Sequence, residues 1–248
     1  RYFFTVVFTF PLMLFFFKKY LVWTDKPKLQ LIRGLILLTA NISFFYSISV
    51  ISLPKALTLA FVAPLVVTAF SPFFLGESVG YRRWAAVIIG FIGSLVVIRP
   101  GFLEINLASL AALGTGIMYG FYLIITRKLS TSDNPLLTLL LTGVVGAIIA
   151  TTFMPFVWVS PTFNQWSIMA AIGLFACIGH LFIILSLKYA DASKLAPFSY
   201  FEIVTNIIIA YYFFGDFPDS WTFLGLFIIV FSGIYISRRE NIVKKIKI

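Results

Sequence analysis

One carboxylate stands deep inside an otherwise uncharged run: Glu202, within SYFEIVTN. Ser199, Glu202 and Asn206 recur at i, i+3 and i+7, with Thr205 adjacent, and Tyr200 lies two positions before the acid. On a helix that spacing makes one polar face. A carboxylate near a bilayer midplane costs roughly 2.5–3.5 kcal/mol on insertion scales, so it faces a cavity or a partner. Such a group can hold a proton or a cationic substrate, or make a structural hydrogen bond to a neighbouring helix. Thr115, Tyr119, Tyr122 and Thr126 form a second polar-aromatic face, at i, i+4, i+7 and i+11. These tyrosines could stack on a flat substrate and hydrogen-bond it. The same spacing also describes an ordinary packed face, and Gly116-x-x-x-Gly120 predicts close helix contact there. Asn41, Ser43 and Tyr46 make a third set, and His180, in CIGHLF, is the only histidine. His180 could titrate or touch substrate, or be hydrogen-bonded within the helix packing.

Nothing in the chain assembles into an enzyme. There is no HExxH, no P-loop, no nucleophile elbow and no Cys/His metal spacing, so no catalytic residue, metal or cofactor is assigned. A Glu202–His180 acid–base pair would need a nucleophile or metal that the sequence does not display. The single cysteine, Cys177, rules out an intramolecular disulfide and reads as a small packing residue. Lys55 and Lys194 sit at helix starts, where snorkelling to the interface or contact with substrate or with the phosphate of membrane lipids is open to them. Arg33 lies close enough to its helix end to snorkel as well. Pro64 and Pro197 are placed to kink their helices.

The elements that position these residues are membrane helices. Of 248 residues, 60% are hydrophobic and 11% charged, against about 45–50% and about 25% in soluble domains. The excess lies in continuous runs of about 20 residues, the length that crosses a bilayer. A β-barrel would alternate instead. Nine spans are predicted, at 2–17, 30–49, 54–75, 80–98, 104–126, 134–158, 165–187, 192–214 and 218–237, joined by short turns. Their loops divide the nineteen bases unequally. Sixteen fall on one side, from Lys18 and Lys19 through Arg82, Arg83, Arg127 and Lys128 to Lys247; Arg1, Lys55 and Arg99 fall on the other. The positive-inside rule makes the first side cytoplasmic, and with it the C-terminus. The net charge of +10 therefore belongs to membrane topology, and no nucleic-acid partner is implied. The acidic turn FFGDFPDS (213–220) falls outside, where acids are tolerated.

Sliding the chain by 139 residues places Gly76-Glu77 on Gly215-Asp216 and Lys55 on Lys194. Spans 30–49 and 54–75 fall on 169–188 and 193–214, each pair with opposite orientation. That is the pattern of an inverted-topology repeat. The expected domains are residues 1–101 and 102–248, two five-helix repeats. Residues 104–126 map ahead of residue 1, so a tenth helix is expected upstream, giving an all-α integral membrane fold with nine of its ten helices here.

The segments SLPKALTLAFVAPLVVTAFSPFFLGESVGYRRWAAVIIGFIGSLVVIRPG (52–101), APFSYFEIVTNIIIAYYFFGDFPDSWTFLGLFIIVFSGIYISRRE (196–240) and LIRGLILL (31–38) resemble the EamA family of the drug/metabolite transporter superfamily. The resemblance covers essentially the whole chain. Within the family it is nearest to the bacterial branch that includes S-adenosylmethionine and riboflavin uptake carriers, which share an aromatic-x-Glu motif matched here by Tyr200, Phe201 and Glu202. It implies ten helices and a secondary transporter in the bacterial cytoplasmic membrane, moving a small organic metabolite by alternating access. The implied substrate is nucleoside-, vitamin- or amino-acid-like, with protons as the candidate coupling ion. Import and export both stay open, because drug and amino-acid exporters share the motifs. A different class, a non-transporting lipid-handling or assembly protein, would copurify with a partner and bind no metabolite. The expected site combines Glu202, Asn206, Tyr200, Ser199, Tyr119, Tyr122, Asn41, Tyr46 and His180.

Overall fold

A computed structural model describes residues 1–16, 24–51, 53–98, 106–215 and 219–246. Every regular element among them is helical. Lys18, Lys19, Arg99, Asp216 and Lys247, which enter the charge and repeat readings, lie outside the described residues, as does the side chain of Lys55. The helices are α1 (Tyr2–Phe16), α2 (Pro27–Val50), α3 (Leu53–Ala60), α4 (Ala63–Leu75), α5 (Tyr81–Ile98) and α6 (Leu107–Ser130). There follow α7 (Pro135–Val157), α8 (Phe163–Tyr189), α9 (Ala192–Leu195), a 3-10 turn (Ala196–Tyr200), α10 (Phe201–Phe214) and α11 (Ser220–Ile246). Among the described residues, five stretches are long and apolar enough to cross a membrane: Pro27–Val50, Ala56–Leu75, Leu107–Ser130, Pro135–Phe156 and Phe163–Tyr189. The chain is a multi-pass, all-α membrane protein.

Local chemistry sets the helix limits. Asn134 caps α7 by accepting the Leu136 N–H at 2.9 Å, with Pro135 at the first helical position. Thr162 and Gln165 form a reciprocal capping box at the start of α8. Gly76 and Gly215 end α4 and α10 at φ 67° and φ 73°, a left-handed conformation that glycine adopts without strain. These are the two glycines that the repeat superimposes.

Two predicted spans follow a helical path throughout but are irregular within it. The third divides into α3 and α4 at Phe61–Val62, and the eighth into α9, the 3-10 turn and α10. Pro64 explains the first irregularity. It has no N–H to give the Ala60 carbonyl, and its ring disfavours the helical conformation of the residue before it. Pro197 stands at the start of the 3-10 turn in the same way.

The described residues form two compact units, Arg1–Leu38 with Ile125–Ala190, and Thr39–Ile124 with Asp191–Ile248. In the first, α1 packs on α7 and α8. Small residues allow close approach, since a Cβ at Gly146 would lie 2.4 Å from the Tyr2 ring and one at Gly173 2.4 Å from Phe4. A polar cluster also holds this unit. Arg33, expected to snorkel, is instead fully buried: its Nε donates to Thr126 Oγ1 at 2.7 Å, and its Nη1 to Thr138 O at 3.1 Å and to Thr142 Oγ1. The neighbouring Asp133 carboxylate accepts from Thr24 at 2.5 Å and from Gln30 at 2.7 Å. Threonines on α6 and α7 satisfy the guanidinium internally, so it has no need to reach the interface.

In the second unit the largest packed interface joins α5 and α11. The contacts pair high numbers on one helix with low numbers on the other, so the helices run antiparallel. Ser232 Oγ donates to Ala86 O at 2.7 Å, and a Cβ at Gly225 would lie 2.8 Å from Gly93 O. Exchanging the two repeats turns the first of these contacts into the second. The same exchange turns Phe61 into Tyr200, and these two residues touch. Their ring centroids are 6.0 Å apart, and the Tyr200 hydroxyl donates to Phe61 O at 3.4 Å across a separation of 139 residues. These contacts are related by the 139-residue offset seen in the sequence.

Candidate functional site

Glu202 lies in the first turn of α10, directly after the 3-10 turn. It is exposed along the helix, as are Thr205 and Asn206, and Ser199 is half-buried. Thr205 Oγ1 donates to the Glu202 carbonyl at 2.9 Å, which leaves the carboxylate oxygens out of that bond. The polar stripe read from the sequence thus straddles the 3-10 turn, with Ser199 inside it and Glu202 just after it.

Tyr200, the last residue of the 3-10 turn, points elsewhere. It is fully buried with Phe61, Ile203 and Ile229, and its ring fills the space above Gly90. With about 3.6 residues per turn, Tyr200 stands on the side of the helix opposite Glu202, so it faces away from the stripe. On α6, Tyr119 and Tyr122 stack with centroids 5.5 Å apart and an interplanar angle of 19°. Tyr122 is fully buried and Tyr119 half-buried. Gly116 and Gly120 pack as their spacing implies: added Cβ atoms would lie 2.5 Å from Ala60 O and 2.7 Å from Val66. Gly116 therefore sits against the carbonyl that Pro64 leaves without a helical N–H. Thr115 Oγ1 donates to Ala40 O at 3.2 Å, one residue before the half-buried Asn41. Tyr46 is exposed, and its carbonyl accepts from Ser49 at 2.7 Å.

These residues, Ser199 to Asn206, Tyr119, Tyr122, Asn41 and Tyr46, all belong to the second unit. His180 belongs to the first, where Arg1 donates to its Nε2 at 2.6 Å. Arginine cannot accept, so Nε2 is the acceptor and Nδ1 carries the proton. A cavity of about 550 Å³ also lies in the first unit, lined by Arg1, Phe4, Met154, Trp158 and Trp166 among others. It includes none of the expected site residues. Cys177 is buried and shares a 3.3 Å hydrogen bond with Thr9, as a packing residue would.

Sequence reasoning missed two polar groupings, the Arg33 cluster and one built on Glu77. Glu77 was legible only as a repeat marker. Its Oε1 accepts the Ala192 N–H at 2.8 Å, and its Oε2 accepts the Ser193 N–H at 2.9 Å and the Ser193 hydroxyl at 2.6 Å. Lys194 pairs with Asp191 at 2.7 Å beside them. Among the described residues no group of three or more His, Cys, Asp or Glu side chains is placed to hold a metal ion.

The sequence profile of the EamA-like transporter family matches residues 1–99 and 106–238. A protein of Rickettsia bellii named S-adenosylmethionine uptake transporter is 27% identical over 248 residues, covering 99% of this chain and 85% of the relative. A riboflavin transporter of Vibrio cholerae is 30% identical over 193 residues, covering 75% and 63%. A solved crystal structure with 20% identity has the same fold, with a TM-score of 0.78 over 95% of this chain and 86% of that one.

Proposed function

Since the chain belongs to the EamA-like transporter family, we propose that it carries a small cationic metabolite by alternating access, with Glu202 recognising the charge. That the chain is a multi-pass membrane transporter of a small metabolite follows from the family and its relatives. The finer reading rests chiefly on one observation: an exposed glutamate stands within a membrane span, directly after its 3-10 turn. Irregular stretches of spanning helices near the midplane are where secondary transporters commonly hold substrates and coupling ions.

The proposed substrate belongs to the class of S-adenosylmethionine, a cation with a flat heteroaromatic ring, in keeping with the relative from Rickettsia bellii. Glu202 meets the positive charge, and Ser199 and Asn206 supply hydrogen bonds along the same stripe. Tyr119, with Tyr122 stacked behind it, offers an aromatic face, while Asn41 and Tyr46 add polar contacts. Tyr200 serves as packing that fixes the start of α10. His180 has a structural part in the first unit, through Arg1. The same carboxylate can hold a proton between substrates, which makes protons the candidate coupling ion. The proposed setting is the bacterial cytoplasmic membrane, with the base-rich loops and the C-terminus on the cytoplasmic side.

The test is uptake of radiolabelled S-adenosylmethionine into proteoliposomes, with riboflavin in parallel. Saturable uptake of the first that falls at least tenfold in Glu202→Gln supports the reading. Uptake of neutral riboflavin that is indifferent to Glu202 would replace it with a flat-neutral substrate.

A further inference from the structure

The Glu77 grouping joins the turn after α4 to the start of the irregular span α9–α10. Three of its bonds end on the carboxylate, and a fourth runs from Arg83, whose guanidinium donates to Ser193 Oγ at 3.1 Å. Arg83 also donates to Ser78 O at 2.7 Å, which fixes the turn that carries Glu77, and it lies 3.9 Å from Asp191. Ser193 and Ala192 are buried. Four bonds that each involve a charged group therefore close this end of the second unit.

Exchanging the repeats places Leu53 at Ala192, Pro54 at Ser193, Thr222 at Arg83 and Asp216 at Glu77. Pro54 has neither an N–H nor a hydroxyl to offer a carboxylate. Thr222 is engaged elsewhere, its hydroxyl donating to Asp219 Oδ1 at 2.7 Å. The sequence cannot rebuild the grouping at the opposite end. A fold whose two halves are related by exchange has thus been given a fastening at one end only.

We infer that Glu77 and Ser193 form a one-ended latch, a pair of positioning residues that holds the end of the carrier bearing the 76–83 turn closed at rest. The inference rests on the transporter reading, in which that end must open once per cycle. Opening it separates α9 from the turn and breaks all four bonds, whereas at the other end Pro54 offers neither the backbone nor the hydroxyl donor that Ser193 supplies here. Each lost hydrogen bond to a charged group shifts such an equilibrium by roughly 10- to 100-fold.

The experiment reads opening directly and needs no substrate. Full-length protein carrying Cys177→Ser and the reporter Ala196→Cys, placed just behind the latch, is reconstituted in liposomes. It is labelled with an impermeant maleimide from each side separately. Glu77→Gln is expected to raise the reporter's labelling rate about tenfold, from the latch side only. Ser193→Ala keeps both backbone bonds but loses the two that use its hydroxyl, and is likewise expected to raise it by at least about tenfold. Asp219→Asn, at the opposite end, leaves it unchanged. In parallel, Val87→Cys in the α5 core should stay unlabelled throughout. Unchanged reporter labelling in both latch variants would overturn the inference, and so would a matching rise at Val87→Cys, which would show general loosening. Because no transport is measured, failure of the latch is distinguishable from failure of the Glu202 reading.

Discussion

Adding one methyl group at Gly90 tests the packing at the centre of the second unit. In an unobstructed helix, Gly→Ala stabilises by about 0.8–1 kcal/mol. At Gly90 the new Cβ would lie 2.5 Å from Tyr200 Cδ2 and 2.9 Å from Cε2, well inside the roughly 3.5–4.0 Å of an ordinary carbon contact. The ring has little room to yield. It is fully buried, packs on Phe61 at 6.0 Å, and is tethered through its hydroxyl to Phe61 O. Overpacking of this kind costs about 1–3 kcal/mol, and a ring held on two sides belongs in the upper part of that range. The steric effect therefore outweighs helix propensity, and Gly90→Ala should lose about 1–2 kcal/mol. Equilibrium unfolding in mixed micelles measures it, with Gly179→Ala as the control, since nothing lies within 4 Å of a Cβ there. Adding Tyr200→Leu to Gly90→Ala should recover about 1 kcal/mol of the loss, as coupling between touching residues requires. Gly90→Ala that stabilises as much as Gly179→Ala would refute the ring's position and its packing on Phe61.

Other expectations follow from single contacts. Arg33→Lys keeps a buried charge but loses the fork that reaches Thr126, Thr138 and Thr142, so it should cost about 2 kcal/mol in the same unfolding assay. Arg33→Met should cost less than Arg33→Lys, because it removes the desolvated charge along with the bonds, and the reverse order would contradict the cluster. Ser232→Ala removes the buried bond to Ala86 O and should cost about 0.6 kcal/mol, the size of an average interhelical bond in a membrane. A fluorescent reporter fused after residue 246 should light up in the cytoplasm, whereas a periplasm-dependent enzyme at that point should stay inactive.

Much of this architecture was legible because bilayer thickness is a blunt constraint. Runs of about 20 apolar residues had to be helices, and Gly76 and Gly215 could be paired before either was seen to end a helix at positive φ. What the residues hid was phase and partnership. Tyr200 and Glu202 stand two residues apart on opposite sides of one helix, and only the structure shows that the tyrosine's side is the packed one and the glutamate's the exposed one. Pro64 and Pro197 signalled a disturbance without giving its extent. Arg33 was misread because its distance from the helix end permits snorkelling, while Thr126, Thr138 and Thr142, about a hundred residues away in sequence, supply the alternative. Glu77 stood in a motif that marked the repeat, yet its partners, Ala192 and Ser193, could be found only in three dimensions.

The central claim is that Glu202 recognises the charge of a cationic metabolite, and S-adenosylmethionine counterflow in proteoliposomes tests it most directly. A hydrogen bond to a charged group is worth about 1.5–3 kcal/mol. Glu202→Gln should therefore raise the half-saturating concentration by at least tenfold, with thermal unfolding of the protein unchanged. Counterflow that proceeds in Glu202→Gln with the wild-type concentration dependence would contradict the account.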